Sequence, residues 1–287
     1  MSGTDSRLSH CWEQIDAVDP LYRVTHVFAE GDDAKRLVAV RALFASLERI
    51  VSEVKDEEVA LRKLEWWRGA LLHREPAGEF HPVIEALTLD KTLQRLDETD
   101  LSRLIDQAGQ RVGARPVPNR NDLARFCADS GHLLMALEHQ SVSRIAPRVQ
   151  ELTGLKKRRG FTQLLRESFS GQTDRSFWWI PLDLQARHGV AKRDFGEDGS
   201  IAGVQAVLRE IVRMFLMEED VDSRENIDIS VYKQLIRTHF SEDAIYRKKL
   251  NYAMNNSGNN FRSNLGRPRV GDLFSAWLAV RQFNRQK

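Results

Sequence analysis

Apolar residues recur along this chain at three- and four-residue steps, the spacing of one helical face. Residues 34–54 set Leu37, Val40, Leu43, Phe44, Leu47, Ile50, Val51 and Val54 on that pattern. Asp32 and Asp33 precede them, where a helix start favours acids. A second segment, 57–74, ends before Pro76 and Gly78, and His81–Pro82 opens a third that runs through Leu87. Residues 89–110 read as one polar amphipathic helix. Residues 113–121 (GARPVPNRN) are the clearest loop. A helix over 122–140 holds Gly131, and a long one over 143–170 is expected to be interrupted near Gly154 and Gly160. Further helical segments are predicted at 182–188, 201–219, 231–239, 242–254 and 271–283, with a polar loop at Asn255 to Phe261. No segment alternates as a strand would. The pattern predicts one all-α domain, a helical bundle around a central cavity. Its domain spans 21–287 behind an N-terminal extension, 1–20.

Composition adds limits. The 287 residues, 41% hydrophobic and 29% charged, suffice for a substantial core. No apolar run approaches the ~18–20 residues that span a bilayer. The opening MSGTDSRLSH is polar, so a secretory signal is not expected. Two cysteines, Cys11 and Cys127, cannot build a disulfide framework or a four-cysteine zinc site. The expected location is the cytoplasm, with peripheral contact at the inner membrane. Charge is uneven: residues 244–287 carry nine Lys/Arg against Asp272 alone, about +8, and the remainder about −6. A solvated surface explains such a segment most simply, and contact with an anionic membrane is the functional reading. Nucleic acid is not expected, because no stacking platform or zinc-finger spacing accompanies the charge.

Five segments in order resemble the squalene/phytoene synthase family, whose members join two isoprenoid diphosphates head to head. They are LYRVTHVFAEGDDAKRLVAVRALFA (21–45), LRKLEWWRGAL (61–71), HPVIEAL (81–87), LARFCADSGHLL (123–134), and GFTQLLRES (160–168) followed by IPLDLQARHGV (180–190). The resemblance implies an isoprenoid-synthase-type fold and Mg²⁺ held by two Asp-x-x-x-Asp motifs. An i, i+4 pair puts both carboxylates on one helical face, where they can share hard cations. This chain departs from the pattern at both motifs. The first falls at Glu48 and Ser52, the second at Glu167 and Gly171, so two of four acids remain. Arg49 stands where the family usually has another Asp, and a cation there opposes metal. Asp174 would rescue the second motif only if the helix continued past Gly171. The acidic run Glu218, Glu219, Asp220 and Asp222 reads as a charged helix end.

The departures resemble the family's non-synthase branch, which includes an assembly factor of mitochondrial respiratory complex I. Arg166, Pro181, Asp183, His188, Gly189 and Val190 match that branch's wording. The resemblance implies a non-catalytic assembly or lipid-binding factor whose client is a membrane respiratory complex. An isoprenoid or other lipid would be its ligand, and no cofactor is expected. The alternative is an active prenyltransferase with Mg²⁺ on Glu48 and Glu167. A third reading is a lipid-binding protein alone. Candidate anion or diphosphate contacts are Arg36, Arg49, Arg166 and Arg175. Candidate cavity-lining residues are Phe44, Trp67, Phe126 and Gly131. Each has a simpler alternative: Glu48 and Glu167 as partners of Arg36, Arg49 or Arg166, the tryptophans (Trp66, Trp67, Trp178, Trp179) as core, Cys127 as a buried apolar residue. His188 is expected at a helix C-terminus with Gly189 as its cap.

Overall fold

A computed structural model describes residues 3–73, 81–143, 153–170, 177–195, 202–216, 238, 239, 241–251 and four positions between 272 and 278. Every regular element among them is helical. They are α1 (Gly3–Val18), α2 (Tyr22–His26), α3 (Gly31–Glu53), α4 (Glu57–Arg68), α5 (Pro82–Thr88), α6 (Glu98–Val112), α7 (Arg120–Val142), α8 (Thr153–Ser170), α9 (Leu182–His188) and α10 (Ala202–Leu216). Residues 241–251 are helical as well. None of the described helices is long and apolar enough to cross a membrane.

Helix α3 is the axis of the bundle. Every residue from Leu37 to Glu48 is buried, as expected for a helix apolar on all sides. Gly31 enters it at φ +63, a left-handed conformation that glycine adopts freely, and Asp32 and Asp33 occupy its first turn. The N-terminal extension is itself helical: α1 lays Cys11 and Ile15 into one core cluster with α3, α4, α5 and α6. A second cluster gathers Phe161, Leu164, Trp179, Leu184, Val207 and Phe215 from α8, α9, α10 and the turn before α9.

Two predicted elements differ. The single helix expected over 89–110 is broken into 3₁₀ turns at Leu89–Lys91 and Leu93–Arg95, and α6 begins only at Glu98. Asp97 makes that start, its carboxylate accepting from the backbone N–H of Thr99 (2.8 Å) and Asp100 (3.1 Å). The interruption expected near Gly160 is absent, because α8 runs through it; α8 starts at Thr153, beside Gly154, and residues 144–152 lie outside the described residues. A Cβ at Gly160 would stand 2.0 Å from the Cys127 carbonyl oxygen, and one at Gly131 would stand 1.9 Å from that of Lys156. The two glycines let α7 and α8 approach closely, and this is the most extensive helix pair among the described residues. Gly131 therefore serves helix packing, where a cavity-lining place was expected. The segments predicted at 231–237, 252–254 and most of 271–283, and the loop at 255–261, lie outside the described residues.

Candidate functional site

The bundle's centre is ionic. Arg41 projects from the middle of α3 and is 3% exposed. A charge so deep must be paired. Its Nε lies 2.9 Å from Glu138 Oε1 of α7, and its Nη2 lies 3.3 Å from both carboxylate oxygens of Glu242. The guanidinium also rests over the Tyr22 ring, 4.3 Å from its centre. Glu138 Oε2 meets His239 Nε2 at 3.0 Å. Glu242 further accepts from Thr25 Oγ1 (3.2 Å) and pairs with Arg159 of α8.

Two helical turns along, the same two helices meet again. Arg166 lies seven residues after Arg159, and Glu48 seven after Arg41, so each pair shares a face. Arg166 forks between Asp19 Oδ2 (2.6 Å) and Glu48 Oε1 (3.2 Å). Tyr246 donates its hydroxyl to Asp19 Oδ1 at 3.0 Å. Arg158 and Asp243, both buried, pair at 2.7 Å. Between these groups a void of about 10 Å³ remains, lined by Ile15, Val18, Asp19, Arg41, Phe44, Ala45, Glu48, Leu134 and Arg166. That is room for about one water molecule.

The network sets its own protonation. Burial pushes the Glu138 carboxyl up, but Arg41, then His239 and Arg159, outweigh it and hold it at about 2, against an ordinary 4.5. Burial also raises Asp19, and Arg166, Arg41 and Arg159 overcome that and lower it. Burial first, then Asp19, raises Tyr246, which therefore stays a hydroxyl donor. A carboxyl whose folded pKa is depressed stabilises the fold above its unfolded value and loses that contribution as pH falls through the folded value. The unfolding midpoint in urea should therefore begin to fall below pH about 6.5, where burial keeps His26 and His139 neutral down to about 4 while the unfolded chain takes up protons, and should go on falling through the Glu138 window from about 4.5 toward about 2. A midpoint unchanged across that window would contradict the network.

Several sequence candidates lie away from this centre. Arg49 faces outward, bonded to Glu53 (2.8 and 2.9 Å) and to Gln14 Oε1 (2.8 Å), where a place opposing metal was expected. Arg36 bonds Asp33 at 2.8 Å, within its own helix. Trp67 is buried in an aromatic cluster with Trp66 and His81, ring centres 5.4 and 4.9 Å away. Phe126 packs edge-on against Trp178. Of the described candidates, Glu48, Arg166 and Phe44 reach the central void. The Glu167 side chain, Gly171, Asp174, Arg175 and the acidic run at 218–222 lie outside the described residues. Ser52 is buried and neutral.

Mg²⁺ needs several hard oxygens free of competing cations. Glu48 has Arg166 on it, Ser52 adds no charge, and among the described residues no three acids, histidines or cysteines are placed to hold a metal ion. The described donor set does not fit the magnesium cluster that the resemblance implies.

Reading single segments missed Asp19, Arg41, Glu138, Arg159 and Glu242. One signal was present: Arg41 is the lone charge between Leu37 and Leu47 in a run apolar on every side. The Pro181-to-Val190 wording proves to seat α9. Pro181 precedes the helix, and Gly189 closes it at φ +63. His188 Nε2 meets Glu210 Oε2 at 3.1 Å, and Arg187 and Arg120 reach Oε1 at 2.7 and 2.9 Å. Val190 and the His188 carbonyl crowd Gly203 of α10, leaving no room for a side chain there.

Residues 16–216 match the sequence model of the squalene/phytoene synthase family. A crystal structure of a dehydrosqualene synthase in complex with ligand superposes with a TM-score of 0.72 at 12% identity, covering 99% of this chain and 98% of that one. That likeness is one of fold. Comparison with curated protein sequences finds no match.

Proposed function

Because the chain belongs to the squalene/phytoene synthase family, we propose that it keeps the family's helical scaffold for binding, as a non-catalytic assembly or lipid-binding factor for a membrane respiratory complex. One observation carries the non-catalytic part. Arg166 sits 3.2 Å from Glu48, the surviving acid of the first motif, and 2.6 Å from Asp19. A guanidinium with fixed charge occupies the place where a metal cluster would need bare carboxylates. The client class rests on the Arg166 and Pro181-to-Val190 wording and its resemblance to the non-synthase branch. The basic segment 244–287 supports contact with an anionic membrane or with that client.

The test is diphosphate release by the purified, folded protein. Farnesyl and geranylgeranyl diphosphate are supplied with Mg²⁺ or Mn²⁺ beside a heat-killed control. We expect no release above that control. Release coupled to a head-to-head product would establish the prenyltransferase reading instead.

A further inference from the structure

Glu242 is 1% exposed and is held as a bound ligand would be. Its Oε1 lies 3.2 Å from Thr25 Oγ1, whose one proton it shares with the Tyr22 carbonyl oxygen at 3.1 Å, both its oxygens lie 3.3 Å from Arg41 Nη2, and its Oε2 pairs with Arg159. Two guanidiniums and a hydroxyl thus converge on one carboxylate. They are not satisfied by it. Arg41 Nη1, and Nε and Nη1 of Arg159, are buried with no hydrogen-bond acceptor among the described residues. The nearest other acids are committed elsewhere: Glu138 to Arg41 Nε and His239, and Asp19, 3.9 Å from Arg41 Nη1, to Arg166 and Tyr246.

The mismatch is one of shape. A carboxylate offers two oxygens in one plane, whereas the donors left over on the two guanidiniums need more acceptors. A tetrahedral oxyanion offers four oxygens in three dimensions, and arginine pairs with phosphate in bidentate fashion. We propose that Arg41, Arg159 and Thr25 form an oxyanion site that the chain's own Glu242 fills, and that a phosphate-class anion takes its place when that carboxylate is withdrawn. The helical residues 241–251 seat the carboxylate and are pinned by Tyr246 to Asp19 and by Asp243 to Arg158. The site stands whether or not the chain transfers prenyl groups.

The test opens the cradle with the rest of the chain intact. Glu242→Ala and the wild type are unfolded thermally in inorganic phosphate, in sulfate, and in chloride at matched ionic strength. The expected result is a saturable rise in the midpoint of Glu242→Ala, about 5 °C or more at ~100 times the dissociation constant. Chloride should not reproduce it, and adding Arg159→Gln should remove it. Glycerol phosphate is a further arm: stronger binding than phosphate makes the natural anion a lipid headgroup, and equal or weaker binding makes it free phosphate. Equal responses to phosphate and chloride, or equal responses of variant and wild type, would overturn the proposal. If Glu242→Ala unfolds in buffer, the same anions are present during refolding. Recovery of helix in phosphate but not chloride supports the site, and failure in both overturns it.

Discussion

Arg41→Met should lose about 3–5 kcal/mol of stability, the largest loss expected from any single substitution outside the tight helix contacts. Methionine keeps an unbranched apolar stem like arginine's and ends short of the guanidinium, so the packing around the stem changes little. What changes is charge. Glu138 loses the cation at 2.9 Å, Glu242 loses one of its two, and Asp19 loses the nearby positive field. Removing one member of a buried ionic set leaves the others desolvated and uncompensated, which costs more than the set contributes as a whole. Against a total stability of ~5–15 kcal/mol, that loss takes much of the margin. Arg41→Lys should recover only part of it, because one ammonium cannot fork toward two carboxylates and lie over Tyr22 at once. Pairing Arg41→Met with Glu138→Gln should lose less than the sum of the two alone. Urea denaturation of the four proteins measures this. An Arg41→Met unfolding free energy within about 1 kcal/mol of wild type would mean that the centre is wetter and its charges more screened than the geometry implies.

The same network marks where reading the sequence stops. Helices α3, α7 and α9 are legible because their signals are local: an apolar period, a capping Asn119, a Gly189 that closes the last turn. The break before α6 is local too, but Asp97 signals it only as a cap inside a segment whose polar period continues. The central partners are not local at all. Arg41 and Glu242 are 201 residues apart, and Arg166 and Asp19 are 147 apart. No period links them, and each taken alone resembles an ordinary surface charge. Only Arg41 betrays its burial, through its apolar neighbours. The motif positions at Glu48 and Ser52 could be placed from the resemblance, yet Glu48's partner could not be chosen among Arg36, Arg49 and Arg166. The fold chooses Arg166, because α3 and α8 cross there with matching seven-residue spacings.

Gly160→Ala and Gly131→Ala should each destabilise the protein by about 3 kcal/mol or more, beyond the ordinary range of overpacking. On propensity alone the sign would be opposite, since alanine gains about 1 kcal/mol over glycine inside a helix. The added methyl decides otherwise. At Gly160 it would fall 2.0 Å from the Cys127 carbonyl oxygen, and at Gly131 1.9 Å from that of Lys156. Both obstacles are backbone, so no side chain can swing aside. Helices α7 and α8 would have to separate by about an ångström or more at the contact. Arg159 is the residue before Gly160, so that separation also pulls its guanidinium from Glu242. Gly109 supplies the control within the same molecule. It lies in α6, and a Cβ there meets only Leu61 Cδ2 at 3.8 Å, an ordinary contact. Gly109→Ala should therefore stabilise by up to about 1 kcal/mol. Thermal unfolding of the three variants side by side should give two large drops and one small rise. A rise at Gly160 would show that α7 and α8 have slack between them, and would also remove the reason for α8 to run unbroken through that glycine.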